Sequence, residues 1–253
     1  MQTLSPAAQD IVNRYLKLPL GNGTINAPYF NNQRAKVRAG LAALVGKGLP
    51  EEIALEAEVL ARAQKFPITT AADLDIKKFL VTNNLGVDCS ALTYYVLRYE
   101  GIIKHKKDLQ SALKFPEVKN WFRKFIVKLR PSQNINVAVL GAPENSFAIN
   151  KNEIQPGDLI FMWNTGLEHK LNHVLIITEV NEKHLTYAHS FRWRNEGQYD
   201  HGVRLGSISW TDPTTPLLED VWIEKNQTGI SNDTWQHARE AERFEIRRLN
   251  ILK

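Results

Sequence analysis

The stretch Gly86-Val87-Asp88-Cys89-Ser90-Ala91-Leu92 contains the only cysteine of this 253-residue chain. The apolar pattern that follows predicts an amphipathic helix, so Cys89 lies where a loop ends and a helix begins. A thiol at a helix N-terminus lies in the positive end of the helix dipole, beside backbone N–H groups that can stabilise an oxyanion. Cys89 is therefore a candidate nucleophile, although a lone cysteine without other catalytic groups is more often a small buried apolar residue.

The composition is that of a globular chain with one substantial core and room for an extension, since 43% of the residues are hydrophobic and 23% are charged. A single cysteine excludes an intrachain disulfide and a zinc site built on several cysteines. No membrane span and no signal peptide are recognised, which predicts a cytoplasmic protein, with export to the cell wall by another route left open. The net charge of +5 indicates either attraction to anionic polymers or a solvated basic surface.

Helical periodicity dominates the first half of the sequence. Helices are predicted at residues 31–46, at residues 50–64, from Thr70 through Leu80, and from Cys89 to Gly101. Residues 104–130 are basic and carry two short helical patterns. Their lysine- and arginine-rich face is either a polyanion-binding surface or a solvated helix face.

From residue 135 onward the period changes toward two, which is typical of strands. Strands are predicted at residues 136–140, 157–163, 172–180, 184–190, 202–209 and 217–224. Residues 234–252 form either one helix, or a helix to Glu242 followed by an edge strand at residues 244–249. The sequence therefore predicts an α+β fold, with a helical N-terminal region at residues 1–84 packed on a domain at residues 85–253.

Two histidines are candidates to assist the cysteine. A nucleophilic cysteine needs a histidine to accept the thiol proton and a further polar group to orient the imidazole. His173 opens one predicted strand, and His189 lies near the end of the next. If Val180 pairs with His184, then His173 lies opposite Phe191 and His189 lies one diagonal step away on the same face. That pairing predicts both rings on one side of the sheet, although either histidine alone is more often structural.

Five blocks of sequence resemble, in order, those of the NlpC-type cell-wall peptidases: DCSAL at 88–92, IQPGDLIF at 154–161, HVLII at 173–177, YAHS at 187–190 and GVRL at 202–205. This family is papain-like: a cysteine at a helix N-terminus packs against an antiparallel sheet that carries the histidines. Its bacterial members typically hydrolyse the bond between γ-D-glutamate and a diamino acid in peptidoglycan stem peptides. The resemblance implies the same fold and activity for this chain.

The resemblance also assigns roles to individual residues. Cys89 would be the nucleophile, His173 the base and His189 the orienting residue. Asp88 and Ser90 would bind the free amine end of the substrate, while Asp88 is equally suited to cap the helix. An anion beside Cys89 opposes thiolate formation, so the expected thiolate–imidazolium resting pair depends on His173 and the helix terminus.

The chain departs from the family just before the nucleophile, where a Pro-Tyr-x-Trp-Gly-Gly stretch with a site-lining tyrosine is missing. A Pro28-Tyr29 pair lies far upstream. We hypothesise that residues 31–84 are inserted between Tyr29 and Cys89, and that Tyr29 still reaches the site. In a second extension, at residues 191–201, Arg192 would either contact an anionic substrate group or belong to a plain polar loop.

No cofactor and no metal site is predicted, because His169 and His173 lack the glutamate of a zinc-protease helix and His173 lies in a strand. The predicted partner is a peptidoglycan stem peptide or a related peptide, with no requirement for nucleic acid, and the oligomeric state stays open. Two other functions remain: a catalytically silent module that binds cell wall or protein, and a thiol acyltransferase or amidase on the same fold.

Overall fold

The computed structural model describes residues 1–21, 23–32, 41–193, 197–226 and 229–253. The helices in these ranges are α1 (Pro6–Leu16), α2 (Pro50–Gln64), α3 (Asp73–Thr82), α4 (Cys89–His105), α5 (Leu109–Ala112), α6 (Trp121–Leu129), α7 (Pro131–Asn134), α8 (Val137–Gly141) and α9 (Asp233–Glu240). The strands are β1 (Gln2–Thr3), β2 (Ser146–Ala148), β3 (Leu159–Thr165), β4 (Leu171–Asn181), β5 (His184–Phe191), β6 (Gly202–Ser209), β7 (Val221–Asn226), β8 (Gly229–Ser231) and β9 (Arg243–Leu249).

The strands form one sheet with the order β2-β9-β3-β4-β5-β6-β7-β8, and β1 pairs with β4. Every pairing between the described strands is antiparallel. Helix α4 packs against β4 and β5. The combination of helices with an antiparallel sheet is an α+β fold, as the sequence predicts.

Alternation of side chains along β4 gives the sheet two buried faces. Val174 belongs to the apolar cluster under α4, together with Cys89. Leu175 belongs to a second cluster, to which α9 contributes Ala238. By the same alternation, His173 lies on the Leu175 face at the start of β4, where its ring packs against that of Phe191 with centroids 4.6 Å apart.

The N-terminal region is built into the same fold. Strand β1 extends the sheet, the Ser5 N–H donates to the Glu100 carboxylate on α4 (2.7 Å), and the Tyr15 hydroxyl donates to the Gly48 carbonyl (2.8 Å). The main apolar cluster contains residues from both sides of position 84. The domain boundary at that position stays a prediction.

The predicted helix at residues 50–64 is confirmed as α2. The helix predicted from Thr70 through Leu80 is present as α3, but it begins at Asp73, with Ala72 as its N-cap residue, and ends at Thr82. Residues 33–40 of the predicted helix at residues 31–46 lie outside the described residues, and residues 42–45 form a 3₁₀ turn. None of the helices in the described ranges is long and apolar enough to cross a membrane.

Helix α4 continues past its predicted end at Gly101 and ends at His105. Gly101 does not end the helix. It allows the backbone of Lys107 to pack closely against α4, because a Cβ at Gly101 would lie 2.8 Å from the Lys107 carbonyl oxygen. The helix ends instead where Lys106 adopts a left-handed conformation with φ 54°.

The predicted strand at residues 136–140 is wrong. Asn136 caps the short helix α8, since its side chain accepts a hydrogen bond from the Val139 N–H (2.8 Å), and this cap outweighs the alternating β-branched pattern. The other predicted strands are present with shifted ends, except that residues 217–219 form a 3₁₀ turn before β7. The C-terminal segment forms a helix and then a strand, but β9 is not at an edge, because β2 and β3 flank it.

The predicted pairing of Val180 with His184 is wrong, since Val180 pairs with Leu185. A bulge in β4 after Ile177 shifts the register by one residue, and Ile177 pairs with Tyr187. From this point toward the start of β4, where the candidate site lies, the register is the predicted one.

Candidate active site

Cys89 is the first residue of α4, and the loop before it is held on several sides. The Val87 N–H donates to the Pro28 carbonyl (2.9 Å), and the Ser190 hydroxyl at the end of β5 donates to the Val87 carbonyl (2.6 Å). Val87 also forms an antiparallel bridge with Lys47. These contacts fix the N-terminus of the nucleophile helix against the sheet.

The Cys89 thiol lies in the wall of a cavity of about 630 Å³. The backbone N–H groups of Val174 and Ser90 lie close enough to the sulfur to act toward a lower pKa of the thiol. Because Val174 follows His173 in β4, the thiol meets the strand one residue away from the candidate base. The backbone N–H groups around the sulfur are suited to stabilise negative charge there.

His173, His189 and Glu224 form a buried chain of hydrogen bonds. Nε2 of His173 lies 2.9 Å from Nδ1 of His189, and Nε2 of His189 lies 2.9 Å from Oε2 of Glu224. All three side chains are at most 2% exposed. The structure thus brings the two predicted histidines together and adds a carboxylate on β7.

Sequence reasoning missed Glu224. The segment Val221-Trp222-Ile223-Glu224 alternates, and its β-branched residues suggest that Val221 and Ile223 face the core. In the structure Val221 and Ile223 are exposed, while Trp222 and Glu224 are buried. The sequence did contain one signal: Glu224 lies two residues after Trp222, so both side chains are on the same face of the strand, and a buried Trp222 implies a buried Glu224.

The Glu224 carboxylate is ionised and densely hydrogen-bonded. Oε2 also accepts from the Tyr187 hydroxyl (3.0 Å) and the Thr234 hydroxyl (2.8 Å), and Oε1 lies 3.5 Å from an Arg204 guanidinium nitrogen. Burial alone would raise the pKa of Glu224, but His189, Arg204 and Thr234 outweigh it and lower the pKa to about 2. Among the residues that the structure describes, no group of three or more His, Cys, Asp and Glu side chains is arranged to hold a metal ion.

The ionised carboxylate determines the tautomers of both histidines. It can only accept hydrogen bonds, so His189 carries its proton on Nε2. When His189 is neutral, its Nδ1 is therefore the acceptor, and Nε2 of His173, 2.9 Å away, carries the hydrogen. The lone pair of neutral His173 is therefore on Nδ1, which is buried and has no hydrogen-bond partner in the described part of the chain. That atom is in the state required of a base.

Burial favours the neutral forms of the thiol and the imidazole. It raises the pKa of Cys89 to about 12, with a further rise from the Asp88 carboxylate, against the opposing effects of the Val174 N–H and the Lys47 ammonium. Burial and the neighbouring His189 lower the pKa of His173 well below its ordinary value of 6.5. The expected thiolate–imidazolium pair is therefore not the favoured resting form in this structure.

A buried lysine occupies the groups that were predicted to bind a substrate amine. Nζ of Lys47 lies 2.5 Å from Oδ2 of Asp88, 2.9 Å from Oγ of Ser90 and 2.8 Å from the Ile135 carbonyl oxygen. Oδ1 of Asp88 accepts from the Ala91 N–H (2.8 Å) and so caps α4. Asp88 thus caps the helix and binds an ammonium, but the ammonium belongs to the same chain. The lone Lys47 gave no signal in the sequence.

Tyr29 lines the same cavity as Cys89. Its parallel bridge with Val87 joins the two ends of the intervening segment, as the insertion hypothesis requires. The Tyr29 ring packs against Phe191 with centroids 5.1 Å apart, and the Tyr29 N–H donates to Nδ1 of His201 (3.2 Å).

Arg192 is exposed and lines a neighbouring cavity together with Trp193 and His237. Trp193 is buried, its indole N–H donates to the Thr234 hydroxyl (2.9 Å), and its ring lies 5.3 Å from that of His173. The start of the second extension therefore covers the histidines with Trp193 and directs Arg192 to the next cavity.

Residues 77–190 match the model of the NlpC/P60 family, a region that contains Cys89, His173 and His189 but ends before Glu224. No curated protein and no solved structure matches the chain. Members of the NlpC/P60 family are generally cysteine peptidases and related hydrolases, and the family is associated with cell-wall peptides. The first four of the five sequence blocks lie inside this match, so the resemblance to the NlpC/P60 family is confirmed for residues 77–190.

Proposed function

We propose that this chain is a cysteine peptidase with a papain-like arrangement, which hydrolyses the bond between γ-D-glutamate and a diamino acid in peptidoglycan stem peptides. The observation that carries the proposal is the buried chain from His173 through His189 to Glu224, in a protein whose Cys89 lies at a helix N-terminus and whose residues 77–190 match the NlpC/P60 family. A histidine that only fills the core does not need an ionised carboxylate at the end of a hydrogen-bonded chain. A histidine that acts as a general base needs a defined tautomer, which such a chain provides.

In the proposed reaction, Nδ1 of His173 takes the thiol proton while the Cys89 sulfur attacks the carbonyl carbon of the scissile amide. The Cys89 N–H at the start of α4 donates to the oxyanion that forms. The His173 imidazolium then gives its proton to the leaving amine, and a thioester remains. Water that loses a proton to His173 attacks the thioester, and the carboxylic product leaves as the thiol is restored.

The neutral resting pair is compatible with this sequence of steps. Charge separates only when the sulfur attacks, and the His173 imidazolium is then stabilised through His189 by the Glu224 carboxylate. No hydrogen bond joins the Cys89 thiol to Nδ1 of His173 in this structure. Catalytic hydrogen bonds are often long without substrate and shorten when it binds.

The cavity at the thiol suits an anionic peptide. Its volume of about 630 Å³ is in the range of small-ligand sites. Arg123 and Lys170 contribute cations to its lining, Glu117 contributes a carboxylate, and Asp88 is paired with Lys47. Amides come from Asn134, Asn136 and Asn172. Stem peptides present carboxylates and amides, which these groups can bind.

The test is mass spectrometry of the tetrapeptide L-Ala-γ-D-Glu-diaminopimelate-D-Ala incubated with the wild-type protein, with Cys89→Ala and with His173→Ala. We expect the wild type to release L-Ala-D-Glu, and both variants to leave the peptide intact. A peptide with an α-linked L-Glu in place of γ-D-Glu controls for general peptidase activity. Cleavage that persists in Cys89→Ala, or a folded wild type that leaves every stem peptide intact, contradicts the proposal.

A further inference from the structure

Helix α6 presents most of its apolar side chains to solvent. Its five large apolar residues are 43–79% exposed, and Val127 is its only buried residue. Successive helical residues are 100° apart, so the five cover a continuous arc of about 140°. They are Trp121, Phe122, Phe125, Ile126 and Leu129. We call this arc the apolar face of α6.

Cations flank the apolar face on both edges. On the helical wheel, Arg123 lies next to one edge and Lys124 and Lys128 lie next to the other, and all three are exposed. Residues 114–130 contain six lysines and arginines and one acidic residue, Glu117, an excess as large as the net charge of the whole chain. The excess positive charge of residues 114–130 thus lies around the exposed aromatic side chains of α6.

The opposite side of α6 forms part of the wall of the active-site cavity. Arg123 and Val127 line that cavity, as do Phe115 and Val118 from the preceding segment. The apolar face therefore points away from the cavity, at a distance of about one helix diameter, roughly 10 Å.

We propose that the apolar face of α6 docks on an anionic lipid surface. A helix with aromatic and aliphatic residues on one side and lysine and arginine beside them is the pattern of a helix that lies in the membrane interface. A nine-residue helix is about 14 Å long, less than half of the bilayer core, so it would lie in the headgroup region and not span the membrane. The flanking cations select anionic headgroups, and docking holds the cavity close to the membrane surface.

The test is co-sedimentation of the full chain with vesicles, using Cys89→Ala protein so that binding is measured without any reaction. We expect binding to phosphatidylcholine vesicles that contain phosphatidylglycerol, and much weaker binding to phosphatidylcholine alone or at high salt. The double variant Phe122→Ser/Phe125→Ser should bind about tenfold more weakly or worse, because two interfacial aromatic side chains are lost. Lys124→Gln/Lys128→Gln should weaken binding by about thirtyfold.

The matched control is Leu55→Ser/Val59→Ser, which removes two apolar side chains on α2 that are 64% and 50% exposed. This variant should bind vesicles like the parent protein. Equal binding to both vesicle types, unchanged binding of the phenylalanine variant, or no sedimentation with anionic vesicles overturns the proposal. A dimer in light scattering that Phe122→Ser/Phe125→Ser abolishes, without vesicle binding, would assign the face to a second copy of the chain instead.

Discussion

Oε2 of Glu224 lies 2.9 Å from Nε2 of His189, and this contact determines which nitrogen of His173 holds a proton two hydrogen bonds away. Because the pKa of Glu224 is lowered to about 2, the carboxylate is an obligate acceptor at any pH at which the protein is expected to work. In the proposed mechanism Glu224 is a positioning residue, since it acts on the substrate only through the histidines.

Replacement of Glu224 by glutamine should lower kcat about 100-fold or more with little change in KM, because a neutral amide neither fixes the His189 tautomer nor stabilises the imidazolium. The exposed Glu219→Gln serves as a control and should leave the kinetics unchanged. A purely structural role would instead reduce the amount of folded enzyme and leave the pH profile of the remainder unaltered. We therefore expect the acid limb of the kcat profile to move in Glu224→Gln, as measured by stem-peptide hydrolysis between pH 4 and pH 9 (roughly the range in which histidine titrates).

The Cys89 thiol should react slowly with iodoacetamide at neutral pH. Its pKa is raised to about 12 by burial and by Asp88, so the thiolate fraction near pH 7 is far below that of an ordinary thiol with a pKa of about 8.5. The alkylation rate, followed by mass spectrometry, should still be rising above pH 9. The chain unfolded in urea is the control, and its rate should level off at an ordinary thiol pKa. A plateau below pH 8 in the folded chain would instead indicate a thiolate–imidazolium pair.

The ion pair between Lys47 and Asp88 should contribute strongly to stability. Removing one partner of a buried pair typically costs about 3–5 kcal/mol, so Lys47→Met should destabilise the fold by about that amount. Asp88→Asn keeps a side chain that can cap α4, and we expect Lys47→Met/Asp88→Asn to recover much of the loss. The free energy of unfolding in urea is measured for the wild type, for Lys47→Met, for Asp88→Asn and for the double variant. The matched control is the exposed pair Lys78–Asp75 (3.2 Å), where Lys78→Met should cost at most about 1 kcal/mol.

The same ion pair predicts how the site treats the amine end of a substrate. The Asp88 carboxylate, the Ser90 hydroxyl and the Ile135 carbonyl all bind the Lys47 ammonium, so the groups assigned to a substrate amine are already engaged. An N-acetylated stem peptide should therefore be hydrolysed at a kcat/KM comparable to that of the free-amine peptide. A strong preference for the free amine would show that Lys47 is displaced when substrate binds.

What could be predicted from sequence depended on whether the relevant contacts are local. The helix signals around Pro50 and Asp88 are local, and α2 and α4 begin where they were predicted to begin. The alignment of His173 with His189 was also predictable, because strand alternation has a period of two. The predicted pairing is wrong by one residue near the turn, where Val180 pairs with Leu185. The bulge after Ile177 removes this shift, so the predicted register is correct near the histidines.

The missed residues owe their roles to long-range contacts that leave no local pattern. Glu224 meets His189 through the pairing of β5 with β6 and of β6 with β7, and no spacing in the sequence encodes that proximity. Lys47 reaches Asp88 because a bridge joins Lys47 to Val87. The helix α8 was mistaken for a strand because alternating valines favour β structure, whereas the Asn136 cap decides for the helix.

Gly86 should be irreplaceable for the position of the nucleophile. A Cβ at Gly86 would lie 2.2 Å from the Pro28 carbonyl oxygen, the acceptor of the Val87 N–H. Any side chain there must therefore push the loop before Cys89 away from the segment that contains Pro28. Gly86→Ala should cost about 1–3 kcal/mol in urea unfolding, the usual penalty for overpacking. Because the displaced loop carries Cys89, the folded variant should also lose stem-peptide hydrolysis and alkylate faster with iodoacetamide, since the thiol is less buried. Wild-type stability together with wild-type alkylation would show that the segment around Pro28 moves instead, and that this contact does not hold the loop in place.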